Sequence, residues 1–139
     1  MRSLISQATD PAPYLPVEFR RNAVKLLEKI YIPQSRSAGC LPAVGSTYDW
    51  FWSLNALTEN SQALDHSILA FCVVQTYLTK TSSVSLEEGL QFYSEALRYH
   101  RTDLEDEQKR YRDEFFATII VLTTCEVLIL NTSTRIPSI

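Results

Sequence analysis

Glycine is scarce in this sequence. Three glycines in 139 residues are too few for a loop that cradles phosphate with backbone amides, which removes both common nucleotide-binding motifs. Histidine is equally sparse. His66 and His100 are the only two, and neither stands in an Asp-His-Ser order or beside a nucleophile elbow. A structural role is expected for each rather than acid–base catalysis. Cysteine is limited to Cys40, Cys72 and Cys125. An odd number at wide spacing contains no CxxC pair and no Cys/His cluster, so a structural zinc site lacks its ligand set. Cys72 and Cys125 lie in apolar runs, where a free cysteine behaves as a small hydrophobe. Thiols used this way fit a reducing compartment, cytosol or nucleus. The reading is of a non-enzyme with no catalytic residue, cofactor or metal.

Charge of one sign is also missing. The net charge is −3, and both signs are mixed along the chain, so no basic patch exists to neutralise phosphates. Direct nucleic-acid binding by this segment is not expected. The first residues, Met-Arg-Ser-Leu-Ile-Ser, hold no apolar stretch of signal-peptide length. The one membrane candidate, Phe115–Leu130, is shorter than the roughly 18–20 residues a span requires and carries Glu126. A core helix is the better assignment, with no membrane contact.

What remains is an ordinary globular composition, 45% hydrophobic and 21% charged. A chain of this length forms one domain, or part of a larger one, and buries about two-thirds of its unfolded surface. Residues 1–16 contain three prolines and read as an extended lead-in. A first helix is expected over Val17–Ile32, with Ala23, Leu26, Leu27, Ile30 and Tyr31 inward. Arg20, Arg21, Lys25, Glu28 and Lys29 fill the other face, and Pro33 is the stop. Gln34–Gly45 reads as a loop. Ser46 or Thr47 can cap a short aromatic helix to about Leu57. Its Tyr48, Trp50, Phe51 and Trp52 cannot all face one core. They are expected to wedge the first helix against the core or to form an interaction surface, where Trp and Tyr are enriched.

Three further helices follow. Asn60 or Ser61 caps the first, Gln62 to about Lys80, whose Ile68–Val74 segment is apolar without a break. Ser85-Leu-Glu-Glu88 is a capping box opening the next. Its buried stripe is expected to be Leu86, Leu90, Tyr93, Ala96, Leu97 and His100. Asp103–Glu114 reads as a solvated connection, and the last helix runs to about Leu130. Residues 131–139 are a tail. Glu126 is the odd residue, a carboxylate in an apolar run that needs a hydrogen bond or ion pair from an arginine or tyrosine of the adjacent helix if buried. The expected fold is all-α: a bundle of about five helices built from antiparallel pairs, within a larger helical regulatory domain. Gly89-xxx-Tyr93-xx-Ala96-Leu97 echoes part of a tetratricopeptide motif, but a shift of 34 residues finds no second copy. Two helices apolar on nearly every side in so short a chain predict an exposed apolar patch, and with it self-association.

Gln62–Leu78, Gly89-Leu-Gln-Phe-Tyr-Ser-Glu-Ala-Leu97 and Thr118–Leu128 together resemble the regulatory region of fungal-specific transcription factors. In that family an alanine- and leucine-rich helix precedes one with a YYxxAL pattern. A third helix follows in which leucines lead to a glutamate. Phe92-Tyr93-Ser-Glu-Ala96-Leu97 and Cys125-Glu126 are the matching points, and Tyr48-Asp-Trp-Phe-Trp-Ser-Leu54 resembles the aromatic helix that precedes them. The likeness covers about residues 47–130, within a helical domain of 17–130. It implies transcription regulation in the nucleus through protein partners, either self-association or other helical regulatory segments. The family's six-cysteine binuclear zinc cluster is not in this sequence, so neither DNA binding nor zinc carries over. A fragment, a truncated product or a stand-alone regulator is expected. The alternative is a tetratricopeptide-like interaction adaptor.

Overall fold

The structure is a computed structural model that describes residues 5, 18–37, 53–57, 59–80 and 83–135. Among these, five α-helices and one 3-10 turn account for the regular structure, and there is no strand. Helix α1 spans Glu18–Ser37, the 3-10 turn Ser53–Ala56, and α2 Gln62–Thr79. Helix α3 spans Leu86–Leu104, α4 Glu107–Arg110 and α5 Asp113–Arg135. The all-α expectation holds.

Helix α2 is the centre of the molecule. Every residue from Ala63 to Thr76 is buried, as expected of a helix apolar on all sides. Its N-terminus is capped by Ser61, whose hydroxyl accepts from the Leu64 amide at 3.1 Å. Its C-terminus closes on Lys80 in the left-handed region, φ 55°, a conformation usually left to glycine. Two of the polar side chains inside α2 are satisfied locally: Ser67 and Thr76 donate to the Leu64 and Cys72 carbonyls at 2.7 Å each.

Helices α1, α3 and α5 pack around this axis. From α1, Phe19, Ala23, Val24 and Leu27 are buried. Pro33 does not end α1, which runs on to Ser37. A proline forfeits its own bond to the carbonyl four residues back but leaves later residues free to continue. Helix α3 opens as the capping box predicts, with the Ser85 hydroxyl accepting from the Glu88 amide at 3.2 Å. It approaches α2 through Gly89 and Ala96, both buried. A Cβ on Gly89 would lie 2.8 Å from Val74 Cγ2, so the close approach requires glycine.

Contacts between neighbours set the helix directions. Gly89 meets Val74 while Glu95 meets His66, so α3 runs antiparallel to α2. Tyr93 meets Glu126 while His100 stacks on Phe115, so α5 runs antiparallel to α3. From α5, Thr118, Val121 and Cys125 are buried. Cys72 and Cys125 are free and buried, as expected of cysteines in apolar runs.

Several expectations require correction. The α3 stripe is shifted: Ala96 is buried and Leu86 and Tyr93 pack half-buried against the core as expected, but Leu90 and Leu97 are exposed and Gly89, outside the expected stripe, is buried. Small residues let the backbones close, and the larger leucines turn outward. Helix α5 is not buried all round, because α2 and α3 cover only two of its sides. It also continues five residues beyond Leu130, to Arg135. Glu114, assigned to a solvated connection, is buried. Arg20, assigned to the wet face of the first helix, is buried too. Residues 38–52, with Cys40 and the aromatic set Tyr48, Trp50, Phe51 and Trp52, lie outside the described residues, as does most of the 1–16 lead-in.

Candidate functional site

The chemistry-bearing side chains are distributed over three places. The first is a buried polar knot. Arg20 Nε donates to Asp65 Oδ1 at 2.7 Å and Nη2 to the Glu59 carbonyl at 2.7 Å. Nη1 donates to the Leu57 carbonyl. The Glu59 amide donates to Glu114 Oε2 at 3.3 Å, which brings α5 into the same knot. Burial raises the Asp65 carboxyl above its ordinary 3.8, against the pull of the Arg20 guanidinium. The knot ties α1, the segment before α2, α2 itself and α5 together. Its partners are internal, so its role is structural.

The second place is a polar cleft of about 90 Å³ at the N-terminal end of α2, lined among others by Ser61, Tyr99, Lys109, Arg112, Glu114 and Phe115. Its charges include both signs, and Lys109 already pairs with Asp103 at 3.7 Å. Neither histidine lines it. His66 Nδ1 lies 2.8 Å from the Gln62 carbonyl, so that nitrogen carries the proton, since a carbonyl only accepts. Its other nitrogen faces Glu95 at 3.7 Å. His100 stacks on Phe115 with centroids 4.3 Å apart, and burial lowers its pKa from 6.5, opposed by Asp103. The two imidazoles therefore serve separate contacts. Among the described residues no group of three or more His, Cys, Asp or Glu could hold a metal ion, and no helix is long and apolar enough to cross a membrane.

The third place is the outer face of the α3/α5 pair, and it is the strongest candidate. On α3, Leu90, Leu97 and Leu104 are 40–50% exposed. They recur every seven residues, one or two turns from Tyr93 and His100, which touch α5. On α5, Phe116, Ile119, Ile120, Val127 and Leu130 are 42–56% exposed. Their spacing of three, four and seven traces one helix face. That face points away from α2, because the α2-facing residues Thr118, Val121 and Cys125 occupy the opposite side. Glu126 sits beside the stripe, exposed rather than buried, and accepts from Tyr93 Oη at 3.5 Å. The expected tyrosine partner is present. Burial and the adjacent Glu126 carboxylate raise the Tyr93 pKa.

Sequence reasoning expected an exposed apolar patch but placed the interaction surface on the aromatic segment 48–52. The signal for the α3 part was the leucine heptad, which also fits a buried stripe. No protein-family model, curated protein or solved structure matches this chain.

Proposed function

We propose that this chain is a helical regulatory or interaction domain of the transcription-regulator type, without a DNA-binding module of its own. The observation that carries it is the outer face of α3 and α5: two adjacent helices between them expose eight large apolar side chains to solvent. Such a surface on a soluble helical bundle is a contact surface for protein, since contiguous exposed apolar patches mark interaction sites. The resemblance of residues 47–130 to the fungal regulatory region supplies the biological setting, a nuclear regulator acting through other helices. In this reading the chain performs no catalysis.

The reading is tested by fusing the full chain to a heterologous DNA-binding domain and measuring transcription from a reporter carrying that domain's sites. Altered output relative to the DNA-binding domain alone is expected. Unchanged output, or sequence-specific DNA binding by the unfused chain, overturns it. The adaptor alternative has one observation in its favour, the close packing of α3 on α2 through Gly89 and Ala96. It predicts capture of an extended or helical peptide by the full chain with no reporter effect.

A further inference from the structure

We infer that the polar cleft at the N-terminal end of α2 is a binding site for a free α-amino acid with a small, uncharged side chain. The inference does not rest on the outer α3/α5 face. It adds a small ligand to a chain whose proposed partners are proteins.

The cleft lies where the helices of the bundle begin and end. Ser61 comes from the cap of α2, Asp103 from the last turn of α3 and Lys109 from α4. Arg112 and Glu114 flank the first residue of α5. A ligand held here touches all four helices at once.

Charge decides the class of ligand. Two acids, Asp103 and Glu114, and two bases, Lys109 and Arg112, line the space. Lys109 and Asp103 pair with each other at 3.7 Å. Among the described residues this leaves Arg112 and Glu114 without an ion pair. The two border one cleft and do not bond each other. Glu114 is 6% exposed, and its Oε2 accepts only from the Glu59 amide, at 3.3 Å. A carboxylate this buried gains from a charged donor. A ligand with one charge satisfies one of these two groups and is repelled by the other. A ligand with an ammonium and a carboxylate satisfies both. Its ammonium donates to Glu114, and its carboxylate accepts from Arg112. The positive end of the α2 dipole, at Ser61, favours the carboxylate further.

Size and lining decide the side chain. The cleft's volume of about 90 Å³ gives room for about six to nine water-sized positions. That is the scale of alanine or serine, and a tryptophan overfills it. The Tyr99 and Phe115 rings line the same space. With Lys109 and Asp103 already paired, no free charge remains to receive a charged side chain.

The test titrates L-alanine and L-serine into the full chain near neutral pH by calorimetry. Saturable binding of at least one is expected. N-acetyl-L-alanine lacks the ammonium and L-alaninamide lacks the carboxylate, so neither should bind at the same concentrations. Arg112→Gln and Glu114→Gln should each weaken binding about tenfold or more, since each removes a charge-assisted hydrogen bond. Glu114→Gln keeps an acceptor for the Glu59 amide. Arg112 is only part-buried, so Arg112→Gln should keep the helical circular dichroism spectrum and decides the matter even if Glu114→Gln fails to fold.

Failure of both amino acids to bind overturns the proposal. So does equally tight binding of N-acetyl-L-alanine or L-alaninamide, which marks a site for a single charge. Binding that Arg112→Gln leaves unchanged puts the ligand elsewhere and overturns it too. A chain that binds neither amino acid yet alters the reporter loses this inference and keeps the regulatory reading.

Discussion

Arg20 and Asp65 are 45 residues apart in sequence and form a buried ion pair with Nε and Oδ1 2.7 Å apart. The guanidinium also serves the Leu57 and Glu59 carbonyls. Removing one partner leaves the other's charge buried and unpaired. Arg20→Met is expected to cost about 3–5 kcal/mol, read as a fall in the urea midpoint. Burial holds the Asp65 carboxyl above 3.8 even with Arg20 present, and loss of the guanidinium raises it further. A raised carboxyl favours the fold below its unfolded value and loses that contribution as pH rises through the folded one. The variant's deficit is therefore smallest near pH 4 and grows toward neutrality.

His100 supplies a pH dependence of the opposite sign. Burial lowers its pKa from 6.5, so the unfolded chain binds this proton more readily than the folded one. Its contribution to stability is complete above pH 6.5 and is lost as pH falls from there toward the folded value. His100→Phe keeps an aromatic ring to stack on Phe115 and removes the titration. The melting temperature between pH 7.5 and 5.5 should fall less in the variant than in the wild type.

Gly89 is confined by Val74. Alanine there gains about 1 kcal/mol in helix propensity. Its Cβ, however, meets Val74 Cγ2 at 2.8 Å, and overpacking of a full core costs about 1–3 kcal/mol. Val74 is fully buried and β-branched, so it yields little. Gly89→Ala is expected to be net destabilising by about 1 kcal/mol. Combining it with Val74→Ala should give a smaller loss than the sum of the two, measured in a denaturant double-mutant cycle.

Lys80 closes α2 in the left-handed region at φ 55°. Glycine adopts this conformation without a Cβ penalty. Lys80→Gly should stabilise the chain by about 0.5–1 kcal/mol, seen as a rise in the thermal midpoint. A fall would show that the lysine side chain contributes more than the backbone loses.

Cys72 and Cys125 are buried, and burial pushes both thiols up to about 12. The thiolate is the reactive form. In a Cys40→Ser background, neither should react with a thiol-specific reagent at pH 8 until denaturant is added. Both should then react together.

Element types were legible from local pattern. The Ser61 and Ser85 caps, the unbroken Ile68–Val74 run and the charge-rich joint before the last helix correspond to α2, α3 and α5 within a few residues. Local rules suffice there because caps and apolar periodicity act over one or two turns. The candidate site was only half legible. Leu90, Leu97 and Leu104 at heptad spacing describe an apolar stripe, but spacing alone does not say whether a helix buries it or shows it.

Sequence alone thus settled that the chain is all-helical and where its central helices begin. Tertiary structure decided which faces they use. Gly89 and Ala96 bring α3 close to α2, and that close approach turns the leucines outward. Arg20 looked like one more solvated charge until folding brought Asp65 and two carbonyls to it. Both outcomes depend on residues distant in the chain meeting in space, which no local pattern encodes.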